Sequence, residues 1–239
     1  MKFLYLDEVD STNLYGKKNM DNLSDKTVIS ARRQTNGRGR LNRSWLDLGD
    51  GNLFVSIVLK PSDKFDEKFA NLTQYLSVII CKTLEQYGLS PEIKWPNDVL
   101  INGKKIAGIL SETVMQGQNF KGLVLGFGIN ISAQKEDVVR VQDKAVTSLS
   151  LEIGRPADRE KFLKDLLNLF FQEYNKFLDS GFELIKHDYI KRANFLEKEV
   201  CVQVFDRTKT GIAKAVDNNG ALLLQNENEQ YVLTIGDIL

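Results

Sequence analysis

The sequence has few cysteines, a single histidine and no long apolar run. Cys81 and Cys201 are its two cysteines, so neither a disulfide framework nor a C-x-x-C metal or redox site can form. His187 is the only histidine, which excludes a metal site built from several histidines. No window reaches the roughly 18 apolar residues of a membrane span, and the opening residues become acidic too early for a secretory signal. We therefore expect a cytoplasmic protein without membrane contact.

An excess of charge of one sign is also missing, because 32 Lys and Arg residues balance 32 Asp and Glu residues. This neutrality argues against a general nucleic-acid or membrane-surface binder, since both classes normally carry a basic excess. The balance is uneven along the chain. Between Lys26 and Leu46 there are six cations and no acidic residue, so positive charge is locally uncompensated. Composition alone is explained about equally well by an anion site and by a solvated basic loop.

Apolar patterns predict the fold class. Alternating or continuous apolar residues predict strands at 2–10, 27–33, 52–60, 92–95, 99–101, 105–112 and 123–131. Apolar residues spaced by three or four predict helices at 12–20, 65–87, 159–178 and 182–193. Ser11 is the predicted N-cap of the first helix, and the polar run 132–144 is predicted to be a mobile loop.

The character of the sequence changes after residue 195. Short alternating segments joined by turns predict a small β-barrel of about 40 residues that docks on the main domain. The expected fold is α+β: a mixed β-sheet with helices packed on one face over residues 1–195, and a C-terminal β-barrel over residues 196–239.

The segment Gln34–Trp45, which we call the arginine loop, is the most informative part of the chain. Gly37 and Gly39 allow the backbone to turn tightly and to present N–H groups to an anion. Three arginines with fork-shaped donors suited to carboxylate or phosphate accompany them: Arg38, Arg40 and Arg43. The chain has neither a P-loop nor a complete G-x-G-x-x-G motif, so any phosphate binding must involve this loop.

A second informative segment is KWPNDVLINGKKIAGIL, residues 94–110. Pro96 ends a strand and places Asn97 and Asp98 at its edge, where side chains can face a cleft. Asn-Gly at residues 102–103 predicts a hairpin. Lys105 stands on the return strand, where it is either a functional cation or a residue that protects a sheet edge from aggregation.

Taken together in order, these motifs resemble those of biotin protein ligases. The matching segments are Ser11-Thr-Asn13, Gln34, Gly37-Arg-Gly-Arg-x-x-Arg43-x-Trp45, Lys94-Trp-Pro-Asn-Asp98, Lys105-x-Ala-Gly108, Gly126-x-Gly-Ile-Asn130 and Gly220-Ala-Leu-Leu-Leu224. They extend over essentially the whole chain. The resemblance implies an ATP-dependent ligase that forms biotinyl-5′-AMP, releases pyrophosphate and transfers biotin to a lysine of a biotin carboxyl carrier protein, a carboxylase subunit.

The resemblance also implies roles for individual residues. Catalytic roles fall to Lys105, Arg40, Lys94 and Asp98. Biotin contacts fall to Ser11, Thr12, Asn13, Gln34, Gly37, Arg38, Gly39, Arg40, Lys105 and Gly108. ATP contacts fall to Arg40, Arg43, Trp45, Asn97 and Asn130. Mg²⁺ is expected on the ATP phosphates, with Asp98 as its one candidate protein ligand.

The sequence departs from the family pattern at two places, and each departure leads to a prediction. Asn42 stands where a third glycine is common, and because Asn tolerates positive φ the turn can survive with altered loop closure. The Ser-Thr-Asn motif begins at residue 11, which leaves no room for the helix-turn-helix domain of bifunctional relatives. A monofunctional ligase that does not regulate transcription is expected, and a homodimer is left open.

Two other functions were weighed against biotin ligation. A lipoate or octanoate ligase or transferase shares the implied core fold but uses a different glycine-rich motif. A non-catalytic binding module for nucleic acid or protein leaves the combination of Gln34, Lys105 and Asn130 unexplained. Both are less consistent with the motifs than biotin ligation is.

Overall fold

The chain folds around two β-sheets in the computed structural model, which describes residues 1–62, 64–141 and 145–239. The large sheet contains β1 (Lys2–Val9), β2 (Thr27–Gln34), β3 (Leu53–Leu59), β4 (Pro91–Lys94), β5 (Asp98–Ile101), β6 (Lys104–Gln116) and β7 (Asn119–Ile129). Its strand order is β1-β2-β3-β7-β6-β5-β4. The β1–β2 pairing is parallel and the others are antiparallel, so the predicted mixed sheet is confirmed.

Helices cover the sheet unequally. The described helices are α1 (Thr12–Lys18), α2 (Leu72–Glu85), α3 (Lys135–Val138), α4 (Leu149–Ile153), α5 (Arg159–Ser180) and α6 (Lys186–Arg192). The expected helical layer is formed by α2 and α5, whose apolar sides join the main core. On the opposite face, α1 and the turn after it cover the sheet through Tyr15 and Met20, which pack with Ile29 and Val124. None of the described helices is long and apolar enough to cross a membrane.

Several elements differ from the sequence prediction, and three of them lie near the large sheet. The helix expected from residue 65 begins at Leu72, because Asp66 caps a 3₁₀ turn over Glu67–Asn71 and Phe65 stays outside, 48% exposed. The β6–β7 hairpin extends beyond Glu112 to a turn at Gly117, where exposed polar residues hide the strand pattern. The predicted loop 132–144 contains α3, and its last three residues lie outside the described chain.

The C-terminal sheet contains β8 (Glu199–Val204), β9 (Arg207–Val216), β10 (Leu222–Gln225), β11 (Gln230–Leu233) and β12 (Asp237–Ile238), in the order β11-β10-β9-β8-β12. Its buried residues belong to the same apolar core as the large sheet. The carbonyl of Gly220 accepts hydrogen bonds from Gln74 Nε2 (2.8 Å) and Trp95 Nε1 (3.2 Å). Asn71 Nδ2 donates to Asn219 O (2.9 Å). Apolar and polar contacts therefore both attach this sheet to the large one.

Candidate active site

A cavity of about 500 Å³ lies between the arginine loop, the strands β4 to β7 and β12. Its volume falls in the usual range for small-molecule sites, about 300–1,000 Å³. The predicted site residues that line it are Ser11, Thr12, Asn13, Gln34, Arg38, Gly39, Arg40, Arg43, Trp45, Lys94, Asn97, Asp98, Lys105, Gly108 and Asn130. Gly37, the remaining predicted site residue, does not line the cavity, and a Cβ on it would stand 2.5 Å from Trp45 O within the loop. Residues far apart in sequence thus converge on one cavity.

The start of α1 forms one wall. Ser11 caps the helix by accepting a hydrogen bond from Leu14 N (3.5 Å). Thr12 donates its backbone N–H (2.8 Å) and its hydroxyl (3.2 Å) to Gln34 Oε1, so the amide of Gln34 is held against the helix. All three predicted residues are thereby fixed in orientation at the cavity wall.

Asn13 is fully engaged with the protein behind this wall. Its Oδ1 accepts from Ser56 Oγ (2.6 Å), and its Nδ2 donates to Leu110 O and to Glu112 Oε2 (both 3.0 Å). A Cβ on Gly126 would approach Asn13 Oδ1 to 1.9 Å, so only glycine leaves space for this arrangement. In this geometry Asn13 positions α1 on the sheet.

Glu112 connects this wall to the arginine loop. Besides Asn13 it accepts from Lys17 Nζ (2.7 Å) and from Arg38 NH1 (3.3 Å). Burial alone would raise the pKa of Glu112, but the hydrogen bonds from Lys17 and Asn13 and the charges of Lys17 and Arg38 outweigh it and lower the pKa. Glu112 is therefore held ionised at neutral pH.

Lys105 and Asp98 form an ion pair at the opposite wall. Lys105 Nζ lies 2.6 Å from Asp98 Oδ1, and the two side chains are 18% and 14% exposed. The backbone of Lys105 is fixed by hydrogen bonds with Ala145 O and Thr147 N (both 2.9 Å). Beside the pair, burial lowers the pKa of Lys94, although Asp98 opposes this. The pair presents an oriented ammonium group to the cavity.

Trp45 covers two facing glycines. Gly108 and Gly128 are cross-strand partners in β6 and β7, and a Cβ on either would lie within 2.7 Å of the Trp45 ring. Lys105 Nζ stands 5.2 Å from the ring centroid, which is a cation–π distance. The indole N–H is buried and has no hydrogen-bond partner among the described residues. The position of the Trp45 ring therefore requires glycine at both 108 and 128.

Two asparagines with predicted ATP contacts also donate hydrogen bonds to the protein. Asn97 Nδ2 donates to Ile109 O (2.9 Å), and Asn130 Nδ2 donates to Thr147 O (3.0 Å). Asn130 is 3% exposed. The structure places both at the cavity, and their contacts to a nucleotide stay predictions.

The arginine loop is held by internal and external contacts. Gly39 N donates to Arg43 O (2.7 Å) and Trp45 N to Gly37 O (3.0 Å). A left-handed backbone occurs at Leu41, with φ of 50°, a conformation that is uncommon for a residue of this size. The positive φ therefore lies at Leu41, the neighbour of Asn42, and the expected effect of Asn42 on loop closure stays a prediction.

The positive charge of residues 26–46 is compensated in three dimensions, contrary to the impression from the sequence. Arg32 pairs with Asp7 and Asp50 (both 2.7 Å). Arg33 pairs with Glu8, Arg38 with Glu112, and Arg40 and Arg43 with Asp237. These acids come from segments outside the arginine-rich stretch, which is why a window along the sequence does not show them.

The cavity nevertheless keeps a positive balance. Among the described lining residues, five cations (Arg38, Arg40, Arg43, Lys94, Lys105) face two carboxylates (Asp98, Asp237), which gives 5 − 2 = +3. Glu112, the partner of Arg38 next to the cavity, reduces this balance to +2. A cavity lined mainly by one sign of charge concentrates ligands of the opposite sign. The site is therefore suited to anionic ligands that carry several oxygens.

Sequence reasoning missed three residues that order this site: Ser56, Glu112 and Asp237. Ser56 lies in β3, which is buried along its whole length, so no alternation of apolar and polar residues marks this serine as part of a site. Glu112 lies on a strand of mixed exposure. Asp237 is separated from Arg40 by 197 positions, so no local signal marks it.

Comparison with known proteins gives consistent matches. Residues 4–130 match the model of the Biotin/lipoate A/B protein ligase family, and residues 195–239 match the Biotin protein ligase C terminal domain. The biotin–[acetyl-CoA-carboxylase] ligase of Paracoccus denitrificans is 32% identical over 98% of this chain and 98% of its own length. The biotin protein ligase of Aquifex aeolicus in complex with biotin and ATP superposes with a TM-score of 0.82 at 30% identity, covering 100% of this chain and 97% of the other.

Longer relatives match as well. The bifunctional ligase/repressor BirA of Bacillus spizizenii is 30% identical over 94% of this chain and 69% of its own length. That of Bacillus subtilis is 32% identical over 86% of this chain and 63% of its own length. The chain thus spans about two thirds of these two relatives.

Proposed function

The chain belongs to the Biotin/lipoate A/B protein ligase family, and from this premise we propose that it is a biotin protein ligase, which uses ATP to join biotin to a lysine of a biotin carboxyl carrier protein. One observation carries the proposal. The cavity brings together the Thr12–Gln34 pair, the Lys105–Asp98 pair and the loop arginines. The whole chain superposes on the Aquifex ligase, whose structure contains biotin and ATP.

In the first step, a carboxylate oxygen of biotin attacks the α-phosphorus of ATP. The bond from that phosphorus to the bridging oxygen breaks, pyrophosphate leaves, and biotinyl-5′-AMP remains. Two anions must approach each other, so catalysis consists mainly of positioning and charge neutralisation. Lys105 neutralises the carboxylate and α-phosphate oxygens, and Arg40 and Arg43 bind the phosphates, while Thr12 and Gln34 hold the ureido end of biotin.

In the second step, the amine of a carrier lysine attacks the carbonyl carbon of the mixed anhydride. An amide forms, AMP leaves, and the amine gives up a proton. Lys105 is also placed to neutralise the AMP phosphate as it departs. The acceptor is a carboxylase subunit, as the name of the Paracoccus relative indicates for that protein.

Mg²⁺ fits this site as a companion of the phosphates. No cluster of three or more potential metal ligands occurs in the described part of the chain. Mg²⁺ commonly uses one or two carboxylates together with phosphate oxygens. Of the two cavity carboxylates, Asp237 is engaged by Arg40 and Arg43 through both of its oxygens, whereas Asp98 pairs with Lys105 through Oδ1. Asp98 is therefore the residue that would hold the ion, and the ion would neutralise charge on the phosphates.

We extend the proposal to organisation and location. Residues 1–195 form the catalytic biotin- and ATP-binding domain, and residues 196–239 form the small C-terminal domain. A cytoplasmic location and a possible homodimer remain predictions from the sequence.

Biotin-dependent exchange of pyrophosphate into ATP tests the function directly. The protein is expected to support exchange with biotin, and mass spectrometry should detect biotinyl-AMP formed from biotin and ATP. Exchange with lipoate but not with biotin would assign the enzyme to the lipoate branch of the family. Absence of exchange with either acid would contradict ligase activity altogether.

A further inference from the structure

Asp237 holds two arginines of the arginine loop at once. Its Oδ1 accepts from Arg40 Nε (2.9 Å), and its Oδ2 accepts from Arg43 NH1 (3.1 Å). The Asp237 side chain is 7% exposed. Hydrogen bonds between charged groups that are shielded from solvent are stronger than exposed ones. This carboxylate is therefore a firm anchor for the loop.

Neighbouring acceptors complete the same arrangement. Arg40 NH2 donates to Gly236 O (3.2 Å), and Arg43 NH2 donates to Gln203 Oε1 (2.9 Å). Gln203 is the cross-strand partner of Asp237 in the β8–β12 pairing. Side chains on paired strands keep a fixed spacing. The C-terminal sheet thus offers a preformed receptor for two guanidinium groups.

This receptor is fixed relative to the cavity. Next to Asp237, Ile238 is buried in the core shared by the two sheets. The C-terminal sheet is further tied to α2 through Gln74 and the Gly220 carbonyl. The carboxylate therefore cannot move far without disturbing the core.

The pairing leaves both arginines able to bind an anion. A guanidinium has five N–H donors, and Arg40 uses Nε and NH2 here, so both N–H groups of its NH1 stay available. Arg43 uses NH1 and NH2, so its Nε stays available. Both arginines line the cavity, whose balance remains positive with Asp237 included.

We infer that Asp237 is a positioning residue for the triphosphate: from the C-terminal sheet it orients Arg40 and Arg43 so that their remaining donors meet ATP. This inference rests on the proposed function. It assigns the C-terminal sheet a direct part in the nucleotide site, although the predicted site residues all come from the rest of the chain.

Kinetics on Asp237→Asn test the inference. This variant is nearly isosteric but cannot accept on both atoms, so KM for ATP in biotin-dependent exchange should rise about tenfold, the effect of losing one hydrogen bond to a charged group. KM for biotin should rise less than KM for ATP, because Thr12 and Gln34 hold biotin from outside the part of the loop that Asp237 anchors. Asp237→Glu, which keeps the carboxylate, should restore part of the loss. Asp206→Asn removes an equal charge from an exposed turn between β8 and β9 and should leave both constants unchanged.

Trypsin supplies a measurement that does not depend on ligase activity. Trypsin cleaves after arginine, so release of the loop should speed cleavage after Arg38, Arg40 and Arg43 in Asp237→Asn at temperatures where the protein stays folded. Asp206→Asn should be cleaved as slowly as wild type.

The outcomes separate this inference from the proposed function. If wild-type protein performs no exchange with biotin, the proposed function fails, while the cleavage rates still decide whether Asp237 holds the loop. Unchanged cleavage and unchanged KM for ATP in Asp237→Asn overturn the inference. A lower KM for ATP also overturns it, because Asp237 would then compete with the phosphates for the arginines.

Discussion

At the scale of single residues, Lys105 is the cation that the cavity geometry singles out. It is paired with Asp98 at 2.6 Å, stacked near Trp45, and fixed through its backbone on both sides. From the sequence alone, Lys105 is either a functional cation or a residue that protects a sheet edge from aggregation. Its partial burial inside the cavity wall is inconsistent with a residue that only protects a sheet edge.

Replacing Lys105 by alanine should lower the rate of biotin-dependent exchange by about 100-fold or more, the usual effect of removing one preorganised donor from a developing negative charge. The rate constant at saturating ATP and biotin measures this. Lys104→Ala is the matched control, because Lys104 is exposed and adjacent on β6. Equal rates for the two variants would contradict the catalytic assignment of Lys105.

Substitution of Gly126 is expected to impair both the stability of the protein and its binding of biotin. Gly126→Ala would place a methyl group 1.9 Å from Asn13 Oδ1, so the asparagine must move, at a cost of about 1–3 kcal/mol in the free energy of unfolding. Because α1 carries Thr12 and is held by Asn13, KM for biotin should rise too. Chemical denaturation and exchange kinetics measure the two effects.

At the scale of elements, β6 (Lys104–Gln116) carries much of the site, since Lys105, Gly108 and Glu112 all lie on it. Glu112 joins the strand to α1 through Lys17 and to the arginine loop through Arg38. A single strand thus couples the two walls of the cavity.

The lowered pKa of Glu112 predicts a pH effect on stability. The carboxylate is favoured in the folded state, so its contribution is complete above the pKa of the unfolded chain and is lost as pH falls through the lower, folded-state pKa. Urea unfolding between neutral and acidic pH should therefore show a steeper loss of stability for wild type than for Glu112→Gln. Glu227→Gln, at an exposed position, should retain the wild-type slope.

Most elements were predictable because their apolar spacing reflects burial. The N-cap Ser11, the Asn102-Gly103 turn and the mixed sheet follow directly from residue type. The C-terminal strands were also predicted, as a small β-barrel, and they form a five-stranded antiparallel sheet. The outer half of the β6–β7 hairpin was not predicted, because the residues next to its turn, Met115 to Asn119, are exposed and mostly polar and give no alternating apolar pattern. Likewise α4, which Ser148 caps, is too short to establish a period.

At the scale of the whole molecule, the two sheets share one apolar core, so they should unfold together. Calorimetry is expected to show one transition for the wild-type chain. Gly220→Ala should shift that whole transition to lower temperature, because Gly220 has φ of 78° and a Cβ there would lie 2.5 Å from Asn71 Nδ2 and Gln74 Oε1. Two separated transitions in wild type would show that the sheets are energetically independent.

The cavity could be predicted only in part, for a reason that also belongs to this scale. Motifs such as Lys94–Asp98 and the arginine loop identified the lining residues, because each motif is local in sequence. The partners that orient them are remote: Arg38 meets Glu112 across 74 positions and Arg40 meets Asp237 across 197. Contacts of such separation are set by topology, which single-sequence patterns do not encode.

The 197-residue separation between Arg40 and Asp237 has a consequence for the newly made protein. Contacts between distant segments form late in folding, after the costly closure of long loops. In a molecule whose C-terminal sheet is still unfolded, Asp237 does not hold the arginine loop, and ATP binds weakly. The reactive mixed anhydride would then be produced only by molecules that are folded throughout, so that the onset of activity reports the completion of folding.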